Sequence, residues 1–127
     1  MNQELDDKLC KAYPKIFAAR HGKMETTAMC WGFECGDGWY TLIDSMCSLI
    51  QSHCNYSKEC PQVIAFQIKE KFGGLRFYYD GGDDYIAGIV SFAEHMSQNI
   101  CEVCGDRGVL NTEGWIKCLC PTHDKKD

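Results

Sequence analysis

The chain of 127 residues has no long hydrophobic run, because Lys, Asp or Glu interrupts every apolar stretch before the roughly 18 residues that a membrane span needs. Its start, Met1 to Asp7, is acidic, whereas a signal peptide begins basic and becomes apolar. Internal repeats, low-complexity tracts and linkers are also missing from the sequence. We therefore expect one cytoplasmic domain, residues 1–127, that makes no contact with a membrane.

Positive charge is scarce, since 13 Lys and Arg stand against 18 Asp and Glu and give a formal charge of −5. This balance argues against broad, nonspecific attraction to nucleic acid, although a local basic patch could still bind phosphate. It favours a protein partner. In a reducing cytosol, the ten cysteines indicate metal ligands or buried thiols and not a disulfide framework.

Apolar residues at steps of three and four predict three amphipathic helices. The first contains Leu5, Leu9, Ala12, Ile16 and Phe17, with a kink or restart at Pro14. Residues 21–38 predict a loop in which Asp37 caps the second helix, which ends near residue 53. The apolar stripe of that helix is Trp39, Leu42, Ile43, Met46, Cys47, Leu49 and Ile50.

A third helix is predicted from a cap at Asp83 or Asp84 to about residue 99. Its predicted buried face is Tyr85, Ile86, Ile89, Val90, Phe92, Ala93 and Met96. Before it, alternating apolar residues predict two strands, with inward residues Ile64, Phe66 and Ile68 in the first and Leu75, Phe77 and Tyr79 in the second.

The two strands are joined by residues 70–74, in which Gly73 and Gly74 permit positive φ, so an antiparallel hairpin is expected. The predicted fold class is α+β. A small antiparallel sheet packs with two to three helices in a body of residues 1–99, and a zinc-binding module follows in residues 100–127.

The strongest chemical signal is a pair of two-residue spacings, Cys101 to Cys104 and Cys120 to His123. Zn²⁺ prefers four such ligands in a tetrahedron, and Gly105 after the second cysteine allows backbone amides to turn toward the sulfurs. Because all four positions are filled by the protein, we predict one structural Zn²⁺ without an open position for catalysis.

Between the ligand pairs, a short hairpin is expected around residues 111–114, and Pro121 suits the first turn of a terminal helix. The turn that carries the first cysteine pair, the hairpin and the start of the terminal helix together predict a treble-clef arrangement. Cys118 is an alternative third ligand, because residues two apart share one face of a strand. Cys120 is favoured because its spacing to His123 suits a helix start.

Two weaker signals remain open. A second metal site would need His53, Cys54 and Cys60 to meet the upstream Cys30 and Cys35, but these spacings match no familiar ligand pair, and buried thiols are common in cores.

The second signal is a candidate anion site at Lys69, Lys71, Arg76 and Tyr78 beside the glycine turn. The alternative is an ordinary charged hairpin, whose field is partly cancelled by the aspartates of residues 80–84.

No arrangement of nucleophile, base and open metal is visible, so an enzyme is not expected. Treble clefs occur in His-Asn-His nucleases, but that chemistry needs a histidine on the hairpin, and residues 107–119 contain none.

Three motifs, in this order along the chain, resemble those of a family of small phage and prophage zinc-binding proteins. They are residues 35–39 (CGDGW), residues 67–78 (QIKEKFGGLRFY) and the two ligand pairs with Trp115. The resemblance covers most of the chain from about residue 31. Members of that family commonly have Thr where this chain has Cys118.

The resemblance implies a non-enzymatic accessory protein in the host cytoplasm, which binds a host protein and counters host defence. The alternatives are a nucleic-acid-binding zinc protein, or a binder of a nucleotide signal through the hairpin with Lys69, Lys71 and Arg76.

Overall fold

Three α-helices form where apolar residues recur at helical spacing, in a computed structural model that describes residues 1–124. They are α1, Gln3–Ala12, α2, Tyr40–Tyr56, and α3, Asp84–Ser97. Of the two predicted caps of α3, Asp83 and Asp84, the structure has Asp83, whose side chain accepts a hydrogen bond from the Ile86 amide. Capping of this kind satisfies an amide that the first helical turn would leave unpaired.

The region between α1 and α2 differs from the prediction. α1 ends before Pro14 and does not restart, because residues 14–21 form turns. Asp37 does not cap α2, since its carboxylate accepts from the amide and side chain of Asn2 at the start of α1. A 3-10 helix, Ala28–Trp31, and a two-residue strand, β1, Phe33–Glu34, occupy the predicted loop.

The main sheet has the order β1-β2-β3, where β2 spans Ile64–Lys71 and β3 spans Gly74–Asp80. β2 and β3 form the predicted antiparallel hairpin, and β1 adds to β2 in parallel, so the sheet is mixed at that edge. Phe72 and Gly73 make the turn with φ of 52° and 78°. The positive φ values therefore fall one residue earlier than predicted from the two glycines.

A β-bulge between Ala65 and Gln67 changes which side chains of β2 face the core. Ala65 and Ile68 are fully buried, while Ile64 and Phe66 are exposed. The prediction that Ile64 and Phe66 point inward was wrong because a bulge inserts one residue and breaks the two-residue alternation. The Ile68 side chain faces the core, as predicted.

The core lies between the helices and one face of this sheet. Its fully buried side chains include Leu9 from α1, Ile43 and Ile50 from α2, Ile86 from α3 and Leu75 from β3. The opposite face of the sheet, with Gln67, Lys69, Arg76 and Tyr78, is partly exposed.

Three residues predicted to be buried in helix stripes lie in solvent, since Leu49 is 56%, Tyr85 61% and Phe92 68% exposed. They share one side of the α2–α3 pair. Within residues 1–124, no helix has both the length and the apolar character required to cross a bilayer.

A second, two-stranded sheet follows α3 and consists of β4, Val109–Asn111, paired antiparallel with β5, Lys117–Leu119. It is the hairpin that was expected between the two ligand pairs.

Candidate metal centre

Four side chains from the C-terminal region converge on one point. The ligand atoms of Cys101, Cys104, Cys120 and His123 all lie within 4.8 Å of one another. His123 presents Nδ1, which is 3.2 Å from Cys120 Sγ and 3.7 Å from Cys101 Sγ, and Cys104 Sγ is 3.6 Å from Cys120 Sγ. These four residues could hold a metal ion.

The distances match the edges of a tetrahedron around zinc. Bond lengths of about 2.3 Å to sulfur and about 2.0 Å to nitrogen place two sulfurs about 3.8 Å apart and a sulfur and a nitrogen about 3.5 Å apart. Three thiols and one imidazole are also the donor set of many structural zinc sites. The residues present therefore fit Zn²⁺ in donor type and in these three distances.

The first ligand pair is built on a tight backbone turn after α3. The Gly105 amide donates to the Cys101 carbonyl at 2.9 Å, and the Cys101 amide donates to the Asp106 carbonyl at 2.7 Å. Gly105 has φ of 84°, a left-handed conformation that explains the glycine in this position. The turn directs backbone N–H groups at the sulfur atoms.

Those N–H groups favour the thiolate form of Cys101 and Cys104, against the effect of burial. Burial disfavours the Cys101 thiolate, but the amides of Cys104, Cys120 and Val103 outweigh burial and lower the pKa of Cys101 from 9.0 to about 6. The Asp106 amide favours the Cys104 thiolate, yet burial and the neighbouring sulfurs raise the pKa of Cys104 to about 11. A bound dication would supply the charge that lets adjacent thiolates coexist.

The second ligand pair lies in a turn just after β5. The amides of His123 and Asp124 both donate to the Cys120 carbonyl, at 3.0 and 2.8 Å. This single turn brings His123 back over Cys120. The rest of the predicted terminal helix falls in residues 125–127, outside the described residues.

Cys118 is not part of the cluster. It is fully buried within β5, and its Sγ packs against Gly108, where an added Cβ would approach to 2.9 Å. Cys120 follows the end of β5, so strand alternation does not carry from one cysteine to the other. The geometry supports Cys120 as the third ligand.

We expect Cys120→Ser to lower zinc affinity by more than about 100-fold, because losing even an outer-shell partner costs about 10- to 100-fold. Cys118→Ser, the matched control, should keep the affinity of the unaltered protein. Competition against a chromophoric chelator measures both. Full affinity in Cys120→Ser, with loss in Cys118→Ser, would reverse the assignment.

The metal centre is joined to the body by the CGDGW segment, a role that the sequence did not reveal. Gly38 N donates to the Glu102 carbonyl at 2.8 Å, Gly36 N donates to Glu102 Oε2 at 2.8 Å, and Trp39 Nε1 donates to the Ile100 carbonyl at 2.9 Å. Trp39 is itself fully buried in the core. The cysteine turn thus rests directly on the start of α2.

A second connection links the hairpin of the main sheet to the metal-binding region. Lys117 Nζ lies 3.1 Å from Glu70 Oε1 and 3.7 Å from Glu102 Oε1, which places one cation between two largely buried carboxylates. An added Cβ on Gly73 would lie 2.3 Å from Leu110 Cδ1, so the hairpin turn also packs closely on β4.

The proposed second metal site is only partly assembled. Cys54 Sγ and Cys60 Sγ are 3.9 Å apart, and His53, Cys60 and Asp83 form a group whose ligand atoms lie within 4.8 Å. His53 Nε2 and Asp83 Oδ2 are in direct hydrogen-bond contact at 2.7 Å, closer than the roughly 3.3 Å between two ligands of one zinc ion. A metal there would have to break that bond.

The two upstream cysteines do not join this group. Within residues 1–124, neither Cys30 nor Cys35 belongs to a cluster that could hold a metal ion. Cys30 Sγ instead donates to the Thr27 carbonyl at 3.4 Å, and Cys35 is buried in the core.

The candidate anion residues do share one surface. Lys69 pairs across the hairpin with Arg76, and Gln67 pairs with Tyr78, so these side chains lie on the outer face of the sheet. Lys71 is two residues beyond Lys69 on the same face.

Comparisons with known proteins found no matching protein-family model and no significant similarity to a curated protein or a solved structure. Function is therefore inferred from the residues and their geometry.

Proposed function

We propose that the protein is a phage-encoded, non-enzymatic zinc-binding accessory protein that binds a host protein, in the host cytoplasm, to counter host defence. Phage origin and the host target follow from the resemblance of the sequence motifs. Protein binding is supported by one structural observation, an open apolar groove between α2 and α3.

The groove has a volume of about 480 Å³ and is lined mainly by apolar side chains, among them Leu42, Leu49, Tyr85, Ile89 and Phe92. Leu49, Tyr85 and Phe92 are more than half exposed. Contiguous exposed apolar surface of this kind marks interaction sites in soluble proteins, because leaving it in water is unfavourable.

The charge around the groove favours an amphipathic helix with basic flanks as its occupant. Within residues 1–124, Asp84 is the one charged residue in the lining of the groove, and neither α2 nor α3 contains Lys or Arg. Asp44 and Glu94 are engaged elsewhere, since they accept hydrogen bonds from the Tyr13 hydroxyl and the Phe77 amide. A second copy of this chain would bring the same carboxylate to the groove, whereas a basic residue on a partner helix would complement Asp84. Two parallel ridges of side chains form the groove type that binds a helix.

The metal centre supports a structural and non-catalytic role for zinc. Cys101, Cys104, Cys120 and His123 would fill the four positions of a tetrahedral ion, so substrate would have no site on the metal. We propose that zinc fixes a treble-clef fold in the C-terminal region and that this region supports the body which binds the partner.

Introducing a charge into the groove tests this function. The zinc-loaded full chain with Phe92→Glu should lose at least about 30-fold in affinity for the host protein it captures, since central aromatic anchors commonly contribute about 2 kcal/mol or more. Tyr56→Glu is the matched control, because Tyr56 is 88% exposed and lies outside the groove. Titration of the purified partner by calorimetry gives both affinities.

Capture of a protein that binds Phe92→Glu and the unaltered chain equally would rule out the groove. Sedimentation showing a dimer that Phe92→Glu dissociates would identify a second copy as the occupant and contradict the basic-helix partner.

A further inference from the structure

A second cleft, separate from the α2–α3 groove, lies between the β2–β3 hairpin and the loop that joins β4 to β5. Its volume is about 340 Å³, and its lining includes Lys69, Lys71, Phe72 and Trp115. Phe72 is 63% and Trp115 80% exposed. Neither ring is part of the buried core, and both side chains line the cleft.

Phe72 occupies a position that local structure disfavours. Its φ is 52°, in the left-handed region where a bulky side chain is strained and where Asn, Asp or Gly is usual in a tight hairpin turn. It is the one residue other than glycine with positive φ in residues 1–124. Strain of this kind is typical of functional positions.

The charges beside the rings are positive and available. Within residues 1–124, Lys69, Lys71 and Arg76 form no ion pair. Lys71 Nζ lies 5.8 Å from the centre of the Phe72 ring, so a cation and an aromatic face are already adjacent.

The acidic residue that lines this cleft is already engaged. Glu70 Oε1 pairs with Lys117, and Glu70 Oε2 accepts from the Gly73 amide at 2.7 Å. Two other carboxylates are close by. Glu34 lies across from Lys69 in the sheet and accepts a hydrogen bond from Gln67 Nε2, and Glu113 directly precedes Gly114 of the cleft lining.

We propose that this cleft binds an unpaired nucleotide. The base stacks on Trp115 and Phe72, and the phosphate is held by Lys69 and Lys71. Aromatic faces accept any base, and lysines neutralise phosphate without reading sequence, which together define a sequence-tolerant site.

The outer face of the sheet extends the site away from the turn. Arg76 lies across from Lys69, and the rings of Phe66 and Tyr78 stack with their centres 6.1 Å apart. This face offers a further cation and a further aromatic platform for a second nucleotide. A duplex does not fit such a site, because its bases are stacked inside the helix and turned away from the aromatic side chains.

Two ligands offer an unpaired base with a phosphate: a free nucleotide and a nucleotide within a single strand. The zinc-loaded full chain is titrated with adenosine 5′-monophosphate, with a labelled ten-nucleotide single strand of deoxyadenosine, and with the same strand in a duplex. We expect binding of the single strand or of the mononucleotide, and at least about tenfold weaker binding of the duplex at the same salt concentration.

Three variants test the assigned roles. Trp115→Ala should weaken binding about 5- to 150-fold, the range for loss of one stacked base, while Trp115→Phe should restore most of it. Lys69→Ala with Lys71→Ala should weaken binding and reduce the slope of log affinity against log salt by about 0.7 for each phosphate that is no longer neutralised. Lys58→Ala, in the turn after α2, is the matched control and should bind normally. An unchanged far-ultraviolet circular dichroism spectrum, together with unchanged zinc content, verifies that each variant is folded.

Affinity for the mononucleotide equal to that for the strand would identify a free nucleotide as ligand, and binding of the strand alone would identify single-stranded nucleic acid. Absence of binding to both would overturn the assignment. Binding that Trp115→Ala and the double lysine variant leave unchanged would overturn it too. Phe92→Glu should bind nucleotide normally, so failure here is distinguishable from failure of the groove.

Discussion

Removing the proposed zinc ion should unfold residues 101–124 while the body of the protein stays folded. The C-terminal region has little core of its own, since Val103, Val109 and Trp115 are each at least half exposed and its two strands have three residues each. Small modules of this kind depend on the metal, whose binding free energy becomes folding free energy. The body keeps its separate apolar core.

Hydrogen exchange of the full chain measures this directly. After chelation, the amides of Gly105, Gly108 and Asp124, which are hydrogen-bonded in the folded module, should lose at least about 100-fold in protection. Amides within β2 and β3 should change far less. Zinc added back should restore the original pattern.

Unchanged protection in residues 101–124, in a sample shown by mass spectrometry to have lost its metal, would show that zinc does not hold the module together. Loss of protection throughout the chain would show that the body also depends on the metal.

Gly38→Ala should destabilise the protein by about 3 kcal/mol or more. An added Cβ would lie 2.1 Å from the Cys101 carbonyl oxygen and 2.6 Å from the Gly105 nitrogen. Both atoms are backbone, so no side-chain rotation relieves the clash, and either the start of α2 or the cysteine turn must move. Urea denaturation measures the free energy of unfolding.

Gly88→Ala provides the matched control, because Gly88 lies inside α3 and an added Cβ there meets nothing within 4 Å. Alanine should raise stability by about 0.5 to 1 kcal/mol at that position, since glycine is the poorer helix former. If the two variants were equally stable, the close contact between the CGDGW segment and the cysteine turn would be refuted.

The clustering of Cys101, Cys104, Cys120 and His123 could be predicted from sequence because its information is local. Two residues separate the members of each pair, and the chemistry of thiolates and imidazole restricts the metal. Cys118 could not be excluded in this way. Its exclusion depends on where β5 ends, and strand ends are set by pairing with β4, which no local pattern records.

The helices and the hairpin could also be predicted from periodicity. Which of their side chains are buried could be predicted only in part. Ile64 and Phe66 face outward because of a bulge, an insertion that leaves the pattern of apolar residues unchanged. Leu49, Tyr85 and Phe92 have the spacing of a buried stripe, but the α2–α3 pair offers more apolar surface than the sheet covers. A hydrophobic pattern does not distinguish a core from a binding surface.

The structural features that could not be predicted from the sequence depend on long-range contacts. Gly36 and Gly38 meet Glu102 across more than sixty residues, and β1 has two residues, too few for any periodic signal. Both features depend on where the finished fold brings distant segments together.

The zinc content of the purified full chain tests the central claim most directly. Native mass spectrometry with elemental analysis should find one zinc ion per chain, bound in preference to other divalent metals present. A folded chain that contains no zinc and takes up none when it is supplied would contradict the claim.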